Sequence, residues 1–205
     1  LRVRQDYLIA QGLLAPFENG MPKDDKMLKM ALDRLKQLSA HEVGHTLGLR
    51  HNYGSSSSVP VEKLRDNAWV QANGHTPSIM DYARFNYVAQ PEDNVTGEGL
   101  MARIGDYDKW AIEWGYKLFP QYRSAEAEEG HLNRWVMDKL RDKRLWFGTE
   151  SNPDDPRSQS EQVGDDAMKA SSYGIRNLQR IIPNVMEWTK QPNEDYSALG
   201  KLYNA

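Results

Sequence analysis

The chain has 205 residues, 39% hydrophobic and 27% charged, with 26 Lys and Arg against 29 Asp and Glu. A net charge of -3, with basic residues scattered among acidic ones, excludes the positive surface that nucleic acid or anionic lipid requires. No run approaches the roughly 18 apolar residues of a membrane span, and the lack of Cys excludes disulfides, thiolate catalysis and Cys-bound metal.

The length allows one large domain or two small ones. The opening residues Leu1-Arg2-Val3-Arg4-Gln5 carry neither an initiator Met nor an apolar signal core, so the chain is expected to be a piece of a longer protein. Turn-prone Pro16, Asn19-Gly20 and Pro22 precede the first strong helix signal. Asp24 or Asp25 can cap that helix, and Leu28, Leu32, Leu35 and Leu38 recur at helical spacing up to a stop near Gly48. Such a leucine stripe predicts a helix face turned toward the core.

Ser55 to Ser58 reads as an exposed loop, and Pro60 as the start of a short helix carrying Leu64, Ala68 and Trp69. Asn73-Gly74 and Pro77 mark turns up to Met80, and Gln90 to Gly105 is loop-like. A helix is predicted from Asp106 or Asp108 through Tyr116, and another from Ser124 to about Phe147. A polar loop follows from Gly148 to Gly164, including Asn152-Pro153. The last helix runs from about Asp165 to Trp188, with Pro183 kinking or splitting it. No alternating strand pattern appears, so the chain reads as mainly α.

The chemistry lies in His41-Glu42-Val43-Gly44-His45-Thr46-Leu47-Gly48-Leu49-Arg50-His51. On a helix His41 and His45 are one turn apart and share a face, as two ligands of a tetrahedral Zn²⁺ require. Gly48 lets the chain leave the helix so that His51 can return as a third ligand. Three protein ligands leave a fourth position for water, the pattern of catalytic zinc. Glu42, beside the first ligand, can reach that water without itself binding the ion. By average residue frequencies this set of offsets arises on the order of once in 10⁵ chains of this length.

The pattern resembles the zinc signature of metzincin metallopeptidases, His-Glu-x-x-His-x-x-Gly-x-x-His followed by a Met-turn, which here is matched by Ser78-Ile79-Met80-Asp81-Tyr82. The resemblance implies that Met80 forms an apolar floor beneath the His rings without binding the metal. It also implies that Tyr82 lies near the zinc, where it can help stabilise the oxyanion, with a buried structural Tyr as the alternative. The role of Asp81 stays open. The segment Tyr107-Asp108-Lys109-Trp110-Ala111-Ile112 loosely resembles the helix that closes many metzincin domains.

General metzincin likeness covers about residues 25–116. The strings His41 to Tyr53 and Leu145 to Arg180 are similar to large bacterial extracellular zinc peptidases of a Met-zincin group. The expected fold is the lower, C-terminal part of a metzincin-like α+β domain, residues 1–120, with a helical extension, residues 121–205, and no upstream sheet. The resemblance implies a zinc-dependent endopeptidase acting on protein or peptide, with an extracellular or periplasmic location. Some partners that orient the His ligands are expected upstream of this chain, and the chain alone is expected to be inactive or nearly so. The rival is a non-catalytic helical interaction module whose His cluster is a structural or vacant metal site; Glu42 argues against it.

The remaining candidates read as structural. His75 is expected at a surface or turn and His131 in solvent. Asp154, Asp155, Glu161, Asp165 and Asp166 lack the spacing of a calcium loop and suit exposed capping roles. Trp135, Trp146 and Trp188 are expected to anchor the C-terminal helices.

Overall fold

A computed structural model describes residues 24–149 and 154–190, together with 192, 195–197, 199 and 200. The turns expected at Pro16, Asn19-Gly20, Pro22 and Asn152-Pro153 lie outside the described residues, as do the side chains of Asp24 and Asp25. Seven α-helices are described. They are α1 (Asp24–Thr46), α2 (Asn67–Asn73), α3 (Gly97–Leu100), α4 (Asp106–Tyr116), α5 (Ala125–Lys139), α6 (Ala167–Ile181) and α7 (Val185–Thr189). Among the described residues there is no strand, only an isolated antiparallel bridge between Asn52 and Thr149.

Local chemistry explains most boundaries. The Asp66 side chain accepts from the Trp69 N–H and caps α2, so the helix expected from Pro60 divides into a 3₁₀ turn (Val61–Arg65) and α2. Ser124 and Asp166 cap α5 and α6 in the same way. Helix α5 stops at Lys139, and Asp142 caps a separate 3₁₀ turn at Lys143–Leu145, so the helix expected to reach Phe147 is broken there. Pro183 sits in a 3₁₀ turn (Ile182–Asn184) that separates α6 from α7, since its ring cannot continue the helical hydrogen bonds. The segment read as loop between Gln90 and Gly105 contains a 3₁₀ turn (Pro91–Asp93) and α3.

The leucine stripe does not face the core. Leu28, Leu32, Leu35 and Leu38 are 60%, 47%, 58% and 49% exposed, whereas Met30 and His41 are buried. Periodicity identifies an amphipathic helix, but not what covers its apolar face. The buried side of α1 rests on the Met80 turn and on Phe85, Leu100 and Met101.

A larger cluster joins Val59, Val61, Leu64 and Val88 to Val163, Ala170 and Tyr173, so α6 packs on the segment that follows the His motif. Gln90 and Asn177 fasten this contact. The Gln90 amide donates to the Tyr173 carbonyl, and Asn177 donates to the carbonyls of Tyr87 and Ala89. Helix α5 meets α4 through Trp135 and Trp110, edge to face at 4.7 Å. Trp135 is therefore an anchor to α4, and Trp146 packs against Gly54 and Arg157 near the bridge.

Candidate metal centre

The three His residues converge because one helical turn and one bend place them. His41 and His45 lie on the last turns of α1, and Gly48 has φ +84°, the left-handed conformation that turns the chain out of the helix. Asn52, fully buried, then fixes the returning segment. Its backbone N–H donates to the Met80 carbonyl, its amide donates to the Trp146 carbonyl, and its side-chain oxygen accepts from Gly148 N–H. The C-terminal segment thereby positions His51, a dependence no local pattern reveals.

One ring nitrogen from each of His41, His45 and His51 lies within 4.8 Å of the others. The Nε2 atoms of His45 and His51 are 3.0 Å apart. His41 Nδ1 donates to the Ile79 carbonyl at 2.8 Å and His45 Nδ1 to the Leu49 carbonyl at 2.9 Å. A carbonyl only accepts, so both Nδ1 atoms carry the proton, and in the neutral rings Nε2 presents its lone pair. Burial holds the His41 imidazole below its ordinary pKa, against the opposing pull of the Ile79 hydrogen bond, so it is neutral at pH 7. His41 Nε2 is buried without a hydrogen-bond partner. The Nδ1 partners that orient His41 and His45 both lie within this chain.

Met80 is fully buried beneath this turn of α1, with Sδ against Gly44. Tyr82, 40% exposed, is not the buried tyrosine of the alternative reading. Its ring centre is 4.4 Å from that of His51 and 5.3 Å from that of His41. Tyr53, which sequence reasoning passed over, lies nearly parallel to His51 at 5.4 Å and 5.2 Å from Tyr82. Its signal was an aromatic two residues beyond the last His. Glu42 is exposed, and it lines an open cleft of about 220 Å³ together with His41, Tyr82, Arg34, Arg84 and Glu161.

Two carboxylates hold the turn under the rings. Asp81 is fully buried, accepting from the Ser56 N–H and the Thr76 hydroxyl, and burial pushes its pKa up to about 7. Asp108, missed as more than part of a packing helix, accepts from the Ser78 hydroxyl and from the N–H groups of Ile79 and Gly105.

The other candidates fall outside the centre. His75 is neither a surface residue nor part of the His cluster. It is fully buried, hydrogen-bonded to the Arg84 carbonyl, and burial lowers its pKa to about 4. His131 is not simply solvated, since its ring packs among Phe119, Tyr122 and Trp135. Of the acidic group, Asp155 pairs with Arg157, Asp165 accepts from the Val61 N–H and Asp166 caps α6.

The Met-zincin family model matches residues 23–205. The chain belongs to the Met-zincin family. No curated protein and no solved structure matches it.

Membership of the Met-zincin family implies zinc, and the donor set of this Met-zincin fits that ion. Zn²⁺ takes imidazole nitrogens at about 2.0–2.1 Å, and three nitrogens within 4.8 Å of one another need only small side-chain movements to meet on one such ion. The buried, unpartnered His41 Nε2 is the second sign, because a polar atom left so in a folded core costs about 1–3 kcal/mol unless something binds it. No helix among the described residues is long and apolar enough to cross a membrane.

Proposed function

We propose that this chain carries the catalytic centre of a zinc-dependent endopeptidase acting on protein or peptide substrates outside the cytoplasm. The observation that carries the reading is the convergence of three His nitrogens, two oriented through Nδ1 to backbone carbonyls, beside an exposed carboxylate on the same helix. When bound by His41, His45 and His51, zinc supplies Lewis acidity that makes water nucleophilic near pH 7 and polarises a carbonyl.

The remaining steps belong to the chain. Glu42 follows the first ligand and faces the cleft, so its carboxylate takes the proton from the attacking water and returns it to the leaving amine. A structural site has no need of such a base. The Tyr82 hydroxyl, on a ring packed against His41 and His51, donates to the oxygen that gains charge as the carbonyl carbon becomes tetrahedral. Met80, buried under the helix turn, supplies an apolar floor that keeps the rings in place. Tyr53, stacked on His51, restrains that ring from the open side.

The deciding experiment compares Glu42→Ala with the parent in the longest natural form of the protein, measuring peptide cleavage and bound zinc together. Loss of turnover with zinc retained supports the reading. Normal cleavage by the variant removes Glu42 as the base, and zinc without cleavage in the parent points to the non-catalytic interaction module.

A further inference from the structure

Beneath His41 runs a chain of hydrogen bonds in which every donor points the same way. His41 Nδ1–H donates to the Ile79 carbonyl at 2.8 Å. That carbonyl belongs to the peptide group whose N–H is Met80's, and the Met80 N–H donates to Ser78 Oγ at 3.0 Å. The Ser78 hydroxyl donates in turn to Asp108 Oδ1 at 2.7 Å. The chain ends on a carboxylate whose other oxygen accepts from Ile79 N–H and Gly105 N–H, each at 2.7 Å. Ser78 and Asp108 are buried, so water competes little for any link.

The direction of the chain follows from donor chemistry. A hydroxyl has one proton to donate, and Ser78 gives it to Asp108 while accepting from Met80. Burial raises the Asp108 pKa, but its hydrogen bonds from Ser78, Ile79 and Gly105 oppose that shift, and the residue lies in the first turn of α4, where the helix dipole favours negative charge. Aligned hydrogen bonds polarise one another, and a charged acceptor at one end strengthens each link. Carbonyls and carboxylates behind metal-binding His rings fix the tautomer and raise ligand basicity. Here the carboxylate acts at a distance, through a hydroxyl and a peptide group.

We propose that Asp108 is a positioning residue for the metal centre, acting through Ser78 and the Ile79–Met80 peptide to lock His41 as its Nδ1–H tautomer and strengthen Nε2 as a donor. The inference rests on the zinc site of the proposed function but not on peptidase activity. It assigns a role to Asp108, on the helix behind the site, that packing alone does not give it.

The test uses the whole chain and zinc alone. Chelator competition gives the zinc dissociation constant of the parent, Ser78→Ala and Ser78→Thr, with the thermal midpoint of each metal-free protein measured in parallel. Removing the hydroxyl is expected to weaken zinc binding about tenfold or more, and Thr, which keeps it, to restore affinity to within about threefold. A purely structural role lowers the midpoint of Ser78→Ala and leaves the zinc constant of the folded variant unchanged, which overturns the proposal.

Nitrogen-15 NMR of the metal-free parent supplies a readout without mutation. His41 is expected as the Nδ1–H tautomer with a downfield Nδ1 proton, and the Nε2–H tautomer overturns the proposal. In Asp108→Asn that proton is expected to move upfield, and an unmoved resonance in the folded variant counts against the relay. A parent that takes up no zinc sinks the zinc reading itself, whereas a parent that binds zinc as tightly as folded Ser78→Ala sinks only the relay.

Discussion

The Sδ of buried Met80 occupies the space that a Cβ on Gly44 would need, so the helix turn between His41 and His45 and the methionine beneath it fit closely around a glycine. Replacing Gly44 by Ala gains about 1 kcal/mol of helix propensity but forces Met80 or the turn around it to shift, an overpacking cost of about 1–3 kcal/mol. We expect net destabilisation in urea unfolding and weaker zinc binding. A more stable variant with parental zinc affinity would show that Met80 moves freely.

The exposed leucines of α1 give a second test. Leu32→Glu with Leu35→Glu should change the unfolding free energy of this chain by no more than about 0.5 kcal/mol per site, because both side chains already meet solvent. Leu64→Ala, at a fully buried position, should cost about 2–5 kcal/mol. Equal losses at the two places would mean that the leucine face is covered in solution.

The His motif was legible because its geometry is local. A four-residue step on a helix puts His41 and His45 on one face and a glycine bend lets His51 return, although the tertiary contacts of Asn52 fix where His51 finally sits. The helix starts at Ser124 and near Asp165 and the break at Pro183 were legible for the same reason, whereas the helix that Asp66 caps is predicted from Pro60. The leucine stripe misled because the spacing of Leu28, Leu32, Leu35 and Leu38 shows that one face is apolar and is silent about its neighbours. The burial of His75 and the reach of Asp108 to Ser78, 30 residues apart, arise from tertiary folding and leave no periodic trace.

Two buried titrating groups make an opposed pair of pH dependences in the metal-free protein. His75, lowered to about 4, stays neutral when folded, while the unfolded chain protonates near 6.5. The unfolded state therefore binds more protons between these values, and this term raises stability with rising pH. Asp81, raised to about 7 from 3.8, holds a proton when folded that the unfolded chain has released. Its term lowers stability with rising pH between those values. From about pH 4 to 6.5 the two largely cancel. Asp81→Asn should remove one of them, so that stability relative to the parent rises by up to about 1.4 kcal/mol per pH unit up to near pH 7. Urea midpoints measured across that range check the sign, and a difference that is flat or falls with pH contradicts the burial of a protonated Asp81.

The proposed chemistry depends on three imidazoles holding one ion. Elemental measurement of the purified chain after zinc loading and gel filtration should give one zinc per molecule, and His45→Ala, still folded by circular dichroism, should lose it. Absence of zinc from the parent, or an equal zinc content in the folded variant, would contradict the account.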